Sequence, residues 1–272
     1  MNKIALFVIS LCISHHAIAA ERIAIVGSTT VLPVLSQAAA LFHQQHPEVI
    51  ITVSGGGSGV GIAAVIQKTA QIGMASRMTT SEEEAKLSQV DNIVIAADAV
   101  AMAVSSEVYD SGIHQLSLQQ IAAIYRGKVR NWQELGGLDA RIVVIDKEAS
   151  RGTRHVFAKA VLGNKHARAA GATLISGSNN EEQGIIARSN QAIGMLSHAW
   201  LNKDVRGIAI VVDGQAIAPN MVNVRNGSYP LARELRVLLP KDASPMTRDF
   251  INFLLSPQGQ GIVEKAGYLP VL

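Results

Sequence analysis

The pattern that most constrains this chain is a strict alternation of short β-branched runs with helical ones. "RIAIV" (Arg22 to Val26) is strand-like, and "LPVLSQAAALFHQQHP" follows it. In that second stretch Val34, Leu35, Ala38, Leu41 and Phe42 fall on one face at helical spacing. Pro33 suits the helix's first turn, and Pro47 lies beyond its end. "VIITV" is the next strand, the glycine stretch "SGGGSG" leads into a helix over Gly59 to Thr69, and "QIGMAS" is a third strand. A βαβαβ order predicts an α/β fold with a largely parallel sheet. "NIVIAADAVAMAVSS" reads as two apolar runs close together, and "RELRVLL" is strand-like near the end. No internal repeat or long linker separates domains. The chain is therefore expected to cross between two domains as strands, near Ala101–Ser105 and Arg233–Leu238.

The first twenty residues carry one cation, Lys3, an apolar run from Ile4 to Ile13, and Ala17-Ile18-Ala19. That order is a secretory leader cleaved after Ala19 or Ala20, and the run is too short to span a bilayer. The leader holds the chain's one cysteine, Cys12, so the exported part has no disulfide and no thiol chemistry. Of 24 basic side chains, all but Lys3 remain, against 21 acidic ones. With aromatics at 4%, nothing resembles a nucleic-acid platform.

Four stretches place small hydroxyls or glycines between a strand and a helix: Gly27-Ser28-Thr29-Thr30, Gly57-Ser58-Gly59, Ala75-Ser76-Arg77 and Ser150-Arg151-Gly152-Thr153-Arg154. Taken singly, each hydroxyl reads first as a helix cap. Taken together, they converge on the sheet edge where open α/β sheets bind ligands. Bare backbone and hydroxyls there suit an anion. The glycine stretch lacks the Lys-Ser or Lys-Thr of a phosphate-binding ATPase loop, and Val60 breaks a nucleophile elbow at Ser58. His43 and His46 share one helix face without a third metal ligand nearby. No metal, no cofactor and no catalytic residues are expected.

These residues carry a resemblance over the whole exported chain. "GSTTVLPV", "GGGSGVGIAAV", "QIGMASR", "IAAIYRGKVRNWQELGG", "NQAIGMLS", "NGSYPLARELRVLL" and "FLLSPQGQGIVEKAGYLPV" stand in the order of the PstS-like periplasmic solute-binding family, the phosphate-binding proteins of ABC transporters. The resemblance implies a two-lobed periplasmic-binding-protein fold of type II with its ligand between lobes joined by hinge strands. One lobe takes 21–103 and 229–272, the other 104–228. It implies a monomer in the periplasm that captures inorganic phosphate and hands it to a membrane permease. The alternatives are another oxyanion (sulfate, molybdate, a phosphonate), a phosphatase-type enzyme, or a signalling role.

Carried over by residue, the resemblance implies phosphate contacts from Thr29, Thr30 and the Val31 N–H, from Ser58 with Gly59, from Ser76, and from Ser150, Gly152 and Thr153. Arg151 stands where the family commonly has serine, and Lys147 where a ligand arginine often lies. Arg77 stands where an aspartate accepts the phosphate proton in well-known members. An arginine only donates. Arg77 is therefore expected to contact the anion with support from Arg151, so that selection rests on charge. The opposite expectation turns Arg77 toward a structural carboxylate and leaves the proton to another acceptor, with Glu148 nearest in sequence.

Overall fold

The computed structural model describes residues 21–272; the leader expected over residues 1–20 lies outside them. The chain begins with β1 (Glu21–Gly27), α1 (Leu32–Gln45), β2 (Val49–Ser54), α2 (Ser58–Ile66), β3 (Ile72–Ala75) and α3 (Ser81–Lys86). A long strand β4 (Val90–Ser105) leads to α4 (Ser106–Asp110), β5 (Gln115–Ser117), α5 (Leu118–Tyr125), β6 (Val143–Lys147) and α6 (Gly152–Val161). Then follow β7 (Leu174–Ser176), α7 (Asn179–Ala187), β8 (Ala192–Ser197), β9 (Val205–Val212), β10 (Gln215–Ile217) and α8 (Met221–Arg225). The chain closes with β11 (Ala232–Pro240), α9 (Pro245–Leu255), α10 (Pro257–Lys265) and β12 (Leu269–Pro270). The fold is α/β, as the alternation predicts.

The strands run in the order β2-β1-β3-β11-β4-β8-β6-β7. Both flanks are parallel: β1 with β2 and β3, and β6 with β7 and β8. The centre is antiparallel, because β4 and β11 run against each other and against their outer neighbours. The sheet is thus mixed rather than largely parallel. The two apolar runs expected over 92–106 are one strand of 16 residues. Its first part pairs with β11, and its end pairs with β8 and β9.

Two cores flank this crossing. One gathers Ile23, Ile25, Leu35, Phe42, Ile72 and Phe250; the other gathers Tyr125, Trp132, Phe157, Ile193 and Ile208. The α1 stripe packs through Val34, Leu35, Ala38, Ala39 and Phe42, with Leu41 only half-buried. Each large side chain withdrawn in this way contributes about 1.5–3 kcal/mol. On β4, Ala96 belongs to the first core and Ala99 to the second; on the return, Leu231 belongs to the second and Leu235 to the first. The passage on β4 therefore falls a few residues before Ala101–Ser105. That offset arises because alanine is small enough to line either core, so the apolar pattern does not mark the boundary.

Candidate functional site

The loops at the carboxyl ends of β1, β2, β3 and β6 meet where α1, α2, α6 and α7 begin. A small cavity lies there, lined by Ser28, Thr29, Thr30, Gly57 and Ser76 from one lobe and by Lys147, Arg151, Gly152, Thr153 and Asn179 from the other. The glycine stretch permits this closeness. Gly57 has φ +96°, a conformation that L side chains rarely adopt, and a Cβ on it would stand 2.9 Å from the Ser150 carbonyl oxygen. A Cβ on Gly152 would meet Ser58 Oγ at 2.3 Å and Ser76 Oγ at 2.6 Å. The glycines thus serve the meeting of the two lobes as well as the cavity.

Ser28 Oγ accepts the Thr30 N–H at 3.2 Å in the turn into α1, but the other hydroxyls are not caps. The residues before α1, α2 and α6 are Val31, Gly57 and Arg151, and none makes a side-chain capping bond. Ser58 Oγ instead accepts the Ser76 N–H at 3.0 Å and lies 3.3 Å from Ser76 Oγ. At α6, the N–H groups of Gly152 and Thr153 belong to the first turn and have no intrahelical acceptor. The positive end of that helix faces the cavity.

Behind the lining sits a residue that sequence reasoning missed. Arg233, on β11, is buried, and its Nη1 donates to Thr153 Oγ1 at 2.8 Å. Weaker contacts run from Nη1 to Ser76 Oγ at 3.4 Å and from Nη2 to Thr30 Oγ1 at 3.2 Å. One guanidinium thus reaches hydroxyls of both lobes. Asp98 on β4 holds it, accepting from Nε at 2.9 Å and Nη2 at 2.7 Å. Ser197 Oγ donates to the other Asp98 oxygen at 2.9 Å. Asn179, also missed, donates its Nδ2 to Thr30 Oγ1 at 3.1 Å across the cleft. Tyr268 Oη donates to the Thr30 carbonyl at 2.8 Å and fixes that loop from behind.

Lys147 lies in the lining with 3% exposure and is ion-paired to Glu182. Glu182 also accepts from Ser176 Oγ and the Met195 N–H, both at 2.6 Å. Burial pulls the Lys147 ammonium down from its ordinary range, and the Glu182 charge opposes that pull. Burial pushes the Glu182 carboxyl up, against the opposing effect of Lys147.

Of the residues expected at the site, Thr29, Thr30, Ser76, Arg151, Gly152 and Thr153 line the cavity. Ser58 stands one bond behind Ser76. Four others, Val31, Gly59, Ser150 and Arg77, are corrected. The Val31 N–H donates to the Ser28 carbonyl at 3.1 Å, closing the turn into α1. The Gly59 N–H donates to the Ser150 carbonyl at 3.0 Å, so these two residues join the lobes through backbone. Arg77 turns away from the cavity. Its Nη1 and Nη2 each donate to Glu83 at 2.7 Å, and Nη1 also reaches the Met78 carbonyl at 2.9 Å. A carboxylate six residues on, presented by the first turn of α3, captures the guanidinium before it can reach the cleft. Burial raises the Glu83 carboxyl, but the Arg77 bonds and the Thr80 amide outweigh it and hold it below its ordinary range. Arg151 lines the cavity, yet its Nε and Nη2 both donate to Glu148 Oε2, at 2.8 and 2.5 Å.

The arrangement presents donors at close quarters: hydroxyls, first-turn amides, an ammonium and guanidinia. That suits a small tetrahedral oxyanion. Among the described residues, no group of three or more His, Cys, Asp or Glu side chains gathers to hold a metal, and no helix is long and apolar enough to cross a membrane.

Comparison with known proteins points to one family. A family model described as a PBP superfamily domain matches residues 14–258. The phosphate-binding protein PstS of Bacillus subtilis is 32% identical over 254 residues, covering 93% of this chain and 82% of that relative. The solved structure of a putative phosphate ABC transporter substrate-binding protein from Clostridium perfringens, with bound phosphate, superposes with a TM-score of 0.84 at 31% identity. It covers 93% of this chain and 100% of that one. An ABC-type phosphate transport receptor from Vibrio cholerae gives a TM-score of 0.73 at 30% identity, covering 91% and 99%.

Proposed function

This chain belongs to the PstS-like family of the PBP superfamily, and we propose that its cleft captures inorganic phosphate outside the cytoplasm for an ABC-transporter permease. The observation that carries this reading is the convergence of Thr30 and Ser76 from one lobe and Thr153 and Asn179 from the other on a cavity backed by Arg233. Donors from both lobes bind an anion best when the lobes are together, so binding drives hinge closure at β4 and β11. The lobes are taken as the halves built around the two cores.

The phosphate contacts in this reading come from Thr29, Thr30, Ser76, Gly152 and Thr153, with Lys147 and Arg233 supplying positive charge and Ser58 holding Ser76 in place. The protein works as a monomer without catalysis and reaches the periplasm through a leader cleaved after Ala19 or Ala20. Binding of tetrahedral anions needs no nucleophile, and the hydroxyls here are engaged with Arg233 rather than with a general base.

Calorimetry of the protein against phosphate, arsenate, sulfate and molybdate tests the reading. Phosphate and arsenate are expected to bind tightly and molybdate weakly. Preference for molybdate or sulfate would assign the site to another oxyanion. Release of phosphate from a chromogenic ester would replace the binding role by an enzymatic one.

A further inference from the structure

Two of the hydroxyls around the cavity, those of Thr30 and Thr153, have their protons aimed by Arg233. A guanidinium only donates, so every hydroxyl oxygen it touches must accept. Thr30 Oγ1 receives Arg233 Nη2 at 3.2 Å and Asn179 Nδ2 at 3.1 Å. Both of its lone pairs are then occupied, and its proton is left for the cavity. Thr153 Oγ1 receives Arg233 Nη1 at 2.8 Å, and its proton is likewise free to face an anion. The ammonium of Lys147 and the first-turn amides can only donate.

Such a cradle suits an anion with no proton of its own. Hydrogen phosphate brings one, and that proton needs an acceptor. Among the described residues, no carboxylate lines the cavity. Asp98 is held by Arg233 and Ser197, Glu182 by Lys147, Ser176 and Met195, Glu83 by Arg77, and Glu148 by Arg151.

Asn179 differs from the cations and from the hydroxyls that Arg233 orients. It is the first residue of α7, lines the cavity and is 1% exposed. Its Nδ2 is anchored on Thr30, while its Oδ1 accepts no hydrogen bond from any described residue. The amide is placed with Nδ2 on Thr30; the reverse placement would spend the Thr30 proton inside the protein and turn Nδ2 into the cavity as one more donor. Thr153 keeps one lone pair, but that oxygen already turns its proton toward the anion. An amide carbonyl has acceptor capacity and no proton to place.

We propose that Asn179 Oδ1 accepts the proton of hydrogen phosphate, so that a neutral amide separates hydrogen phosphate from sulfate in this protein. The proposal rests on the phosphate reading above. A neutral acceptor repels sulfate less than a carboxylate does, so sulfate competes measurably, and discrimination stays below the 10⁴-fold or more reached by sites built on a buried mismatch.

The test is calorimetry of the purified protein with phosphate and with sulfate near pH 8, where hydrogen phosphate dominates, repeated on Asn179→Leu, Asn179→Asp and Thr153→Val. Asn179→Leu is expected to lower the phosphate-to-sulfate affinity ratio about tenfold, the worth of one hydrogen bond to a charged group. Loss of the Nδ2 bond to Thr30 affects both anions alike and cancels in that ratio. Asn179→Asp keeps the shape, is expected to raise the ratio, and moves optimal phosphate binding to lower pH. Thr153→Val is expected to weaken both anions together. An unchanged ratio in Asn179→Leu, with both anions weakened, would mean that Asn179 only ties the lobes, and the proposal fails. A ratio lost in Thr153→Val instead would move the acceptor there and also overturn it. If the unaltered protein binds neither anion, the phosphate reading falls, and this proposal with it.

Discussion

Arg233 stands directly opposite Asp98 in the antiparallel pairing of β11 with β4, and its Nε and Nη2 both donate to one Asp98 oxygen. The pair therefore bridges the two strands that join the lobes, at the back of the anion cavity. Removing one partner of a buried pair leaves the other charge uncompensated, at a cost of about 3–5 kcal/mol. Asp98→Ala is expected to lose that much in urea unfolding. An apolar double replacement, Asp98→Leu with Arg233→Met, is expected to recover most of the stability yet still bind phosphate at least tenfold more weakly. Recovery of both would show that the pair serves packing alone.

Thr153 and Ser58 separate ligation from capping. Neither side chain caps a helix. Ser58→Ala strands the buried Ser76 N–H and should lower stability by about 1–3 kcal/mol, whereas Thr153→Val leaves Arg233 its Asp98 pair and should lower it less. Thr153→Val removes a donor to a charged group, worth about 1.5–3 kcal/mol, or roughly ten- to a hundredfold in phosphate Kd. Ser58→Ala should act more weakly, because Ser58 reaches the site through the Ser76 amide. A fall in Tm at unaltered Kd in Thr153→Val would reverse this assignment.

Arg77 is expected to matter for stability and little for binding, because Glu83 holds both of its terminal nitrogens. Arg77→Ala should leave phosphate Kd within about threefold, below half a decade of affinity. The Glu83 carboxyl titrates below its unfolded value, so its stabilising effect is complete above the unfolded pKa and is lost as pH falls through the folded one. Acid unfolding of Glu83→Gln should therefore lack that part of the pH dependence. A large loss of phosphate affinity in Arg77→Ala would place the guanidinium back in the cleft.

Gly152 tests how closely the lobes must meet. A methyl group there would lie well inside contact distance of Ser58 Oγ and Ser76 Oγ. Gly152→Ala is expected to weaken phosphate binding at least tenfold, since buried overpacking costs about 1–3 kcal/mol. Small-angle scattering with saturating phosphate should show a larger radius for the variant than for the unaltered protein. Equal radii and equal affinities would mean that the loops yield freely.

His155 lies beside Arg77 and Lys165, with His166 and Glu83 also near, and burial is the main cause that lowers its pKa to about 4. Between the ordinary value of 6.5 and about 4, the unfolded chain binds the proton more readily, so stability falls as pH drops through that window. His155→Gln should flatten this slope in denaturant titrations between those limits. A proton resonance for His155 titrating near 6.5 would contradict the assignment.

The sequence by itself determined the alternation of elements, the stripe on α1, and the small-residue loops that gather at one sheet edge. Those features are local: side-chain period, proline placement and glycine content act within a few residues. It also held a trace of Arg233, which falls in the same strand phase as the buried Leu235 and Val237. Asp98 likewise interrupts an apolar run that is in fact one strand. Either charge alone reads as a break or an exposed position. Only the tertiary structure sets them opposite each other, because the pairing of β4 with β11 joins residues 135 positions apart. Arg77 shows the same limit in reverse. Its place in the loop pointed toward the anion, but a carboxylate on the next helix competed for it at 2.7 Å. Charged side chains settle on the partner that space offers within reach, and chain order does not rank those partners.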